Sequence, residues 1–260
     1  MKIEESVAII TGGAQGIGKA VAISLLKLGA KVCIADVNSI QGENTIKELG
    51  QVYEDSVIFQ QCDVTKEDDI RSVFKVTKNR FGDVTIMVNN AGILDEQNWT
   101  RLVAINFEAQ IRCTMTALEF MGCNNGGRGG LVIFTSSIVG VIPIGTFPVY
   151  AAAKHGIVGF VRSMAMSPRQ NDWGVRFNAV CPSSVETGMT TEDNFARAIT
   201  DPVVLDKVMQ DNKNTYNDKI SPSEVAETYV RIIKDDALNG KTLVVLKGKT
   251  TFVDAAVVDM

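Results

Sequence analysis

Apolar residues return along this chain in two rhythms. Short, nearly continuous runs at 7–11, 31–36, 57–63, 85–90, 130–136, 175–182 and 242–247 are rich in Val, Ile, Phe and Ala. Runs this unbroken predict strands buried on both faces, as in a parallel sheet covered by helices. Between them, apolar positions recur every three or four residues and predict helices near 17–29, 39–49, 66–80, 99–121, 148–170 and 222–234. The last has a distinct start: Ser221, Pro222 and Glu224 stand where an N-cap, a first-turn proline and the far member of a capping box belong. The regular alternation predicts an α/β fold: one doubly wound domain over 1–260 with a seven-stranded, mostly parallel sheet. Right-handed crossovers then bring the loop-bearing strand ends to one edge.

Two stretches break the rhythm. Residues 124–130 are rich in Gly and Asn and read as a surface connection. Residues 183–220 are long and mostly polar and follow a strand end, as binding loops and lids do. Local helical patterns at 192–199 and 202–212 lie inside that substrate loop.

Composition narrows the function. The chain has 260 residues, 45% of them hydrophobic, which suits one α/β domain with a substantial core. No apolar run reaches the roughly 18 residues of a membrane span, and the N-terminus lacks a secretory pattern. A soluble, cytoplasmic protein is expected. Net charge is −4 without a basic block, which argues against nucleic acid or an anionic membrane as partner. Five cysteines without CxxC spacing suggest neither a disulfide framework nor a zinc site, and the single histidine, His155, cannot form a multi-histidine metal centre. No metal is expected.

The candidate chemistry begins after the first strand. TGGAQGIG at 11–18 sets Gly12, Gly16 and Gly18 between a strand and a helix, with Gln15 and Ile17 among them. Glycines there let backbone amides approach a pyrophosphate, and the helix N-terminus favours negative charge. Asp36 ends the second strand, followed by Val37. A carboxylate in that place accepts the ribose hydroxyls of an adenosine and repels a 2′-phosphate, which points to NAD rather than NADP. Cys62, Asp63 and Val64 end the third strand, where they could frame an adenine; Asn90 and Gly92 follow the fourth.

Tyr150 and Lys154 stand four apart in a helical segment and so share a face. A phenol titrates near ~10, and a neighbouring ammonium stabilises its anion. Ser137 precedes them at a strand end, able to orient a substrate oxygen. Alone, a Tyr–Lys pair at this spacing often only stacks on a helix surface.

Taken together, TGGAQGIG, Asp36, the NNAG at 89–92, Ser137 and Tyr150-x-x-x-Lys154 resemble the short-chain dehydrogenase/reductase family, in order and spacing, from residue 6 to about 248. The resemblance implies a Rossmann-type fold and an NAD-dependent dehydrogenase. It implies that Tyr150 removes the alcohol proton as hydride leaves for the nicotinamide. Lys154 would lower the Tyr150 pKa and hold the nicotinamide ribose, and Ser137 would hydrogen-bond the reacting oxygen. Asn106 matches the fourth catalytic position and would support a proton-relay water. Val185 and Thr187 match positions that secure the carboxamide end of the cofactor.

A narrower likeness joins Asn98-Trp99, the 124–130 connection, the segment 148–160 and the DALNG at 236–240. These resemble the NAD-dependent 15-hydroxyprostaglandin dehydrogenases and, in part, related insect alcohol dehydrogenases, a branch that oxidises secondary, often allylic, alcohols. Ser183 replaces the usual Gly after Pro182, and Phe147 stands where the prostaglandin enzymes have a polar Gln. The expected substrate is therefore a lipophilic secondary alcohol of allylic or terpenoid-like kind, or the corresponding ketone. A 15-hydroxyprostaglandin and a non-catalytic dinucleotide-binding sensor or scaffold are the alternatives.

Ser137, Phe147, Tyr150, Met189 and Tyr216 are expected to touch the substrate. Phe195, Val203, Val204, Leu205 and Met209 with Ile142 and Ile144 are candidates for an apolar lining, or for packing the loop. Apolar residues on more than one face of the helices near 99–121 and 148–170, Leu118, Ile157, Val158, Val161 and Met164 among them, suggest a homodimer.

Overall fold

The structure, a computed structural model, describes residues 1–214 and 218–254. The chain alternates as the apolar rhythm predicts. Strand β1 (Val7–Thr11) leads to helix α1 (Gly16–Lys27), β2 (Lys31–Asp36) to α2 (Ser39–Tyr53), and β3 (Val57–Gln61) to α3 (Glu67–Phe81). After β4 (Ile86–Asn89) come α4 (Trp99–Val103) and α5 (Ala109–Met121), joined by a π turn at Ala104–Glu108. Then β5 (Gly130–Thr135) leads to α6 (Pro148–Ala165) and the short α7 (Gln170–Trp173). Strand β6 (Val175–Pro182) opens the long loop, which carries α8 (Glu192–Ala198) and α9 (Pro202–Asn214). Helix α10 (Pro222–Lys234) and strands β7 (Thr242–Leu246) and β8 (Lys249–Phe252) close the described chain.

All eight strands form one sheet in the order β3-β2-β1-β4-β5-β6-β7-β8. The first seven are parallel and β8 runs antiparallel to β7. The eighth strand extends the expected seven through a two-residue hairpin at Lys247-Gly248, whose Gly248 takes φ +67°. Strand order reverses between β1 and β4, and the crevice beyond their C-terminal ends is where such sheets bind ligands.

Helices cover both faces. One core joins β1, β2, β4 and β5 to α1 and α10, with Ile10, Leu25, Ile86 and Ile232 fully buried. The other sets Phe74, Met121, Phe134 and Ile157 beneath α3, α5 and α6. The α10 start forms as its sequence implies: Ser221 accepts from the Glu224 amide at 3.2 Å, and Glu224 accepts from the Ser221 amide at 2.8 Å.

This packing answers most of the apolar excess read from the two helices near the site. Leu118, Ile157, Val158, Val161 and Met164 are all buried within the chain itself, so they are not available to a partner. On the outward side remain Met115, 44% exposed, and the exposed Ala152, His155 and Gly159 of α6. No helix among the described residues is long and apolar enough to cross a membrane.

Candidate active site

One cavity of about 1150 Å³ opens along the C-terminal strand edge. Its wall gathers residues from most of the chain, because parallel strands deliver their ends to the same side.

The β1–α1 turn forms the floor. Gly12 has φ +60°, and a Cβ there would lie 2.9 Å from the Ala91 Cα. A Cβ on Gly18 would lie 2.3 Å from the Gly12 oxygen, so helix and turn touch backbone to backbone. Gln15 at the α1 N-cap makes no side-chain hydrogen bond to the helix, so its side chain does not cap the leading amides. Gly12, Gln15, Gly16 and Ile17 line the cavity, whereas Gly18 is buried behind them and acts through close packing. Thr187 lies over the turn, its methyl 3.3 Å from where a Gly16 Cβ would project.

Asp36 and Val37 line the same end. The Asp36 carboxylate accepts from the Ala14 amide at 3.1 Å and from the Asn38 amide at 3.0 Å. Each oxygen keeps a further lone pair for a ligand hydroxyl. Lys19, in the first turn of α1, is paired with Glu48 at 2.6 Å and does not line the cavity. Cys62, Asp63 and Val64 continue the wall, and Asp63 is braced by the Thr65 hydroxyl at 2.7 Å. The amide approach, the uncapped helix start and the carboxylate at the lip together fit a dinucleotide.

The candidate reacting groups stand further along. Asn90 and Gly92 line the cavity between the two ends. Lys154 is 3% exposed, and its ammonium donates to the Thr135 carbonyl at 2.8 Å. It also lies 5.5 Å from the centre of the Tyr150 ring. Ser137 hydrogen-bonds Tyr150 and accepts from the Val139 amide at 3.3 Å. Tyr150 keeps some surface open to the cavity but is densely surrounded by protein.

Burial dominates the titration of both groups. It pushes the Tyr150 phenol up to about 12, against the Ser137 hydrogen bond, which works to lower it. Burial pushes the Lys154 ammonium down to about 8. Desolvation is the largest influence on the phenol, and the Lys154 ammonium beside it gives its hydrogen bond to the Thr135 carbonyl.

Asn106 is buried in the π turn and does not line the cavity. Its amide pairs with Ile93: the oxygen accepts from the Ile93 N–H and the nitrogen donates to the Ile93 carbonyl, both at 2.8 Å. The side chain thereby fastens the loop after β4, with its oxygen 3.3 Å from where a Cβ on cavity-lining Gly92 would project.

At the substrate end, Phe147, Ile144, Met189, Phe195 and Val208 line the wall. Phe147 stacks on Phe195 with ring centres 6.1 Å apart. Leu205, Val204 and Met209 pack against the loop's own small core, so they hold the loop rather than face the cavity. Val203 and Ile142 are 77% and 49% exposed, against the expectation that they line the pocket. Val203 lies in the first turn of α9, and Val208 further along the same helix supplies apolar surface to the cavity instead. Tyr216 lies outside the described residues. The loop's ends are joined by a bridge between Val185 and Ile220, and Val185 lines the cavity beside Thr187. Ser183 needs no special backbone there: no non-glycine among the described residues has positive φ, and its amide donates to Val245 at 2.9 Å.

Sequence reasoning missed Glu96. Phe147, the N-cap of α6, has no acceptor to offer the helix. Glu96 supplies one from the loop after β4, accepting from Tyr150 N at 2.7 Å and Val149 N at 3.2 Å. A carboxylate at a helix start complements the exposed amides and dipole. The next residue, Gln97, donates to the Arg197 carbonyl at 2.9 Å, tying this loop to α8.

Comparison with known proteins then decides the relationship. Residues 6–198 match the family model described as short chain dehydrogenase. The chain belongs to the short-chain dehydrogenase/reductase family. Within it, the chain is 38% identical to "15-hydroxyprostaglandin dehydrogenase [NAD(+)]" of Bos taurus, over 96% of this chain and 94% of that protein. It is 34% identical to "Borneol dehydrogenase, mitochondrial" of Lavandula x intermedia, over 75% of this chain and 74% of that protein. The crystal structure of levodione reductase superposes with a TM-score of 0.79 at 29% identity, covering 94% of this chain and 97% of the other. This short-chain dehydrogenase/reductase is accordingly an oxidoreductase on a Rossmann-type sheet.

Proposed function

We propose that this enzyme oxidises a lipophilic secondary alcohol, allylic or terpenoid-like, to a ketone, reversibly, with NAD. The observation that carries the reading is the shared cavity: the Gly-rich turn and Asp36 at one end, Tyr150, Ser137 and an apolar wall around Phe147 at the other. NAD, when bound, supplies the hydride acceptor. Asp36 holds the adenosine ribose and disfavours a 2′-phosphate, while Val185 and Thr187 border the reacting end. Ser137 fixes the substrate oxygen, and Tyr150 takes its proton. Lys154, titrating near 8, holds the nicotinamide ribose and passes the proton on. Asn106 serves this relay through the backbone it fastens.

A 15-hydroxyprostaglandin substrate is the second reading, favoured by relatives of that name at 37–38% identity over 96% of the chain. The apolar Phe147–Phe195 wall favours the first. The test is NADH formation from NAD with a panel of monoterpenoid secondary alcohols and prostaglandins. Faster turnover of a monoterpenoid alcohol supports the proposal, and a prostaglandin turned over at least as efficiently selects the second reading. No turnover in either direction with any alcohol or ketone leaves a non-catalytic dinucleotide-binding protein.

We further propose that the enzyme is cytoplasmic and works as a homodimer through the outward sides of α5 and α6. The small exposed residues Ala152 and Gly159 of α6 allow close helix approach across a two-fold axis, and Met115 of α5 adds exposed apolar surface. Light scattering showing an active monomer at micromolar concentration contradicts the dimer.

A further inference from the structure

Tyr229 of α10 is wholly buried and does not line the cavity, and nothing in the chemistry above uses it. Its hydroxyl lies 2.5 Å from the Thr135 hydroxyl. That hydroxyl in turn donates to the Asn90 side-chain oxygen at 3.0 Å. The Asn90 amide nitrogen lies 3.0 Å from both the Thr11 and the Gly12 carbonyl oxygens.

Counting protons fixes the direction of this chain. Two backbone carbonyls can only accept, so both Asn90 amide protons are committed to them and its oxygen is left to accept. Thr135 has one hydroxyl proton, and it goes to that oxygen. Tyr229 must therefore donate to Thr135. The series runs one way, from Tyr229 through Thr135 and Asn90 to the backbone of the dinucleotide turn. Hydrogen bonds in series polarise one another, and a low-dielectric interior strengthens them.

The two endpoints matter. Asn90 fixes the carbonyls of Thr11 and Gly12, and a Cβ on Gly18 would fall 2.6 Å from its nitrogen. Its amide thus fills the space that sets how the turn meets α1. Thr135, through its own backbone carbonyl, also receives the Lys154 ammonium.

We infer that Tyr229 is a positioning residue whose hydroxyl, acting through Thr135 and Asn90, holds the dinucleotide-binding turn in its ligand-ready geometry. The inference rests on the NAD reading above for its ligand. Phenylalanine at 229 would keep the packing and remove only the donor.

Titration calorimetry with NAD alone, on wild type and Tyr229→Phe, tests it. The Kd should rise about fivefold, the scale of one hydrogen bond, with KM for NAD moving more than kcat. Amide exchange at residues 12–16, measured without cofactor, should quicken in the variant. Thr135→Val should weaken NAD binding likewise, Thr135→Ser should restore it, and adding Tyr229→Phe to Thr135→Val should cost nothing further. Unchanged Kd and unchanged exchange, with only a lower Tm, would make Tyr229 a packing residue and overturn the inference. If wild type takes up no NAD, the cofactor reading fails, while the exchange rates still decide whether the hydroxyl orders the turn.

Discussion

At the dinucleotide end of the cavity the wall is made of strand termini and backbone: the Gly12 turn, the Asp36 carboxylate at the end of β2, the Asp63 corner after β3. Neighbouring strands fix these groups in register, so their positions follow from the sheet. At the other end the wall is made of side chains from a loop. Phe195 and Val208 belong to a small separate core with Ala198 and Ile199, and Phe147 joins it from the start of α6. The first end is set by hydrogen-bonded geometry and the second by packing. Packed surfaces of this kind accept exchange of one apolar side chain for another with modest loss. On the proposed reading, cofactor and chemistry are therefore built into the fold, while substrate choice is left to residues that can vary around it.

The contrast is broken most sharply at its boundary. Tyr150→Phe keeps the ring and removes the proposed proton acceptor. Turnover should fall about 1000-fold, or ~4 kcal/mol of barrier, while NAD binding survives. Substantial turnover by this variant would move the base elsewhere and remove the chemistry from the fold-determined side.

Lys154 tests the same boundary through stability. Its folded pKa, about 8, lies below the ordinary 10.5, so between those values the unfolded chain binds more protons. Stability from this group therefore rises as pH increases from 8 to 10.5. The buried Cys33 and Cys62 thiols, pushed up to about 12, act in the opposite sense as pH rises through the unfolded thiol range. The measurement is thus a difference: urea unfolding of wild type against Lys154→Met at pH 7 and pH 9.5. Wild type should gain about 2 kcal/mol relative to the variant. Equal pH dependence would mean the ammonium is not desolvated.

Much of the dinucleotide end was legible in the sequence for the reason that makes it rigid. Glycine spacing, a carboxylate at a strand end and a Tyr–Lys pair at helical spacing are local patterns, and the alternation of elements supplies the rest. The capping box at Ser221 and Glu224 was legible in the same way. Glu96 was not, because its partners are 53 and 54 residues away and no local pattern links a loop carboxylate to another helix's amides. The π turn at Ala104–Glu108 was hidden because one inserted turn leaves the apolar rhythm of a helix nearly intact. In the substrate loop the helices at Glu192–Ala198 and Pro202–Asn214 could be anticipated, but not that Val203 would face outward while Val208 faced the cavity. Which side of a short amphipathic helix meets a cavity is decided by how the loop docks.

Cofactor selectivity offers a smaller effect. Asp36→Asn removes the charge and keeps an acceptor for the Ala14 or Asn38 amide. The NAD-to-NADP ratio of kcat/KM should fall about tenfold, or ~1.4 kcal/mol. An unchanged ratio would mean that discrimination lies outside the end of β2.

The smallest effect belongs to the packed end. Phe147 contributes to the cavity wall and to the stack on Phe195, an aromatic contact of about 0.5–1.5 kcal/mol beyond simple burial. Phe147→Gln gives up that stack and places an amide at the wall. A substrate with a polar group near the carbinol gains a partner, and a purely apolar one meets an amide that must be desolvated. The ratio of kcat/KM for a prostaglandin over a monoterpenoid alcohol should rise about fivefold. A loosened loop alone would lower both substrates together, so Phe147→Leu, which keeps an apolar wall without the ring, separates the two causes. It should weaken turnover of both and leave the ratio near wild type. If Phe147→Gln also leaves the ratio unchanged, the wall around Phe147 does not read the substrate, and selection must lie with the other loop side chains, Met189 and Val208 first among them.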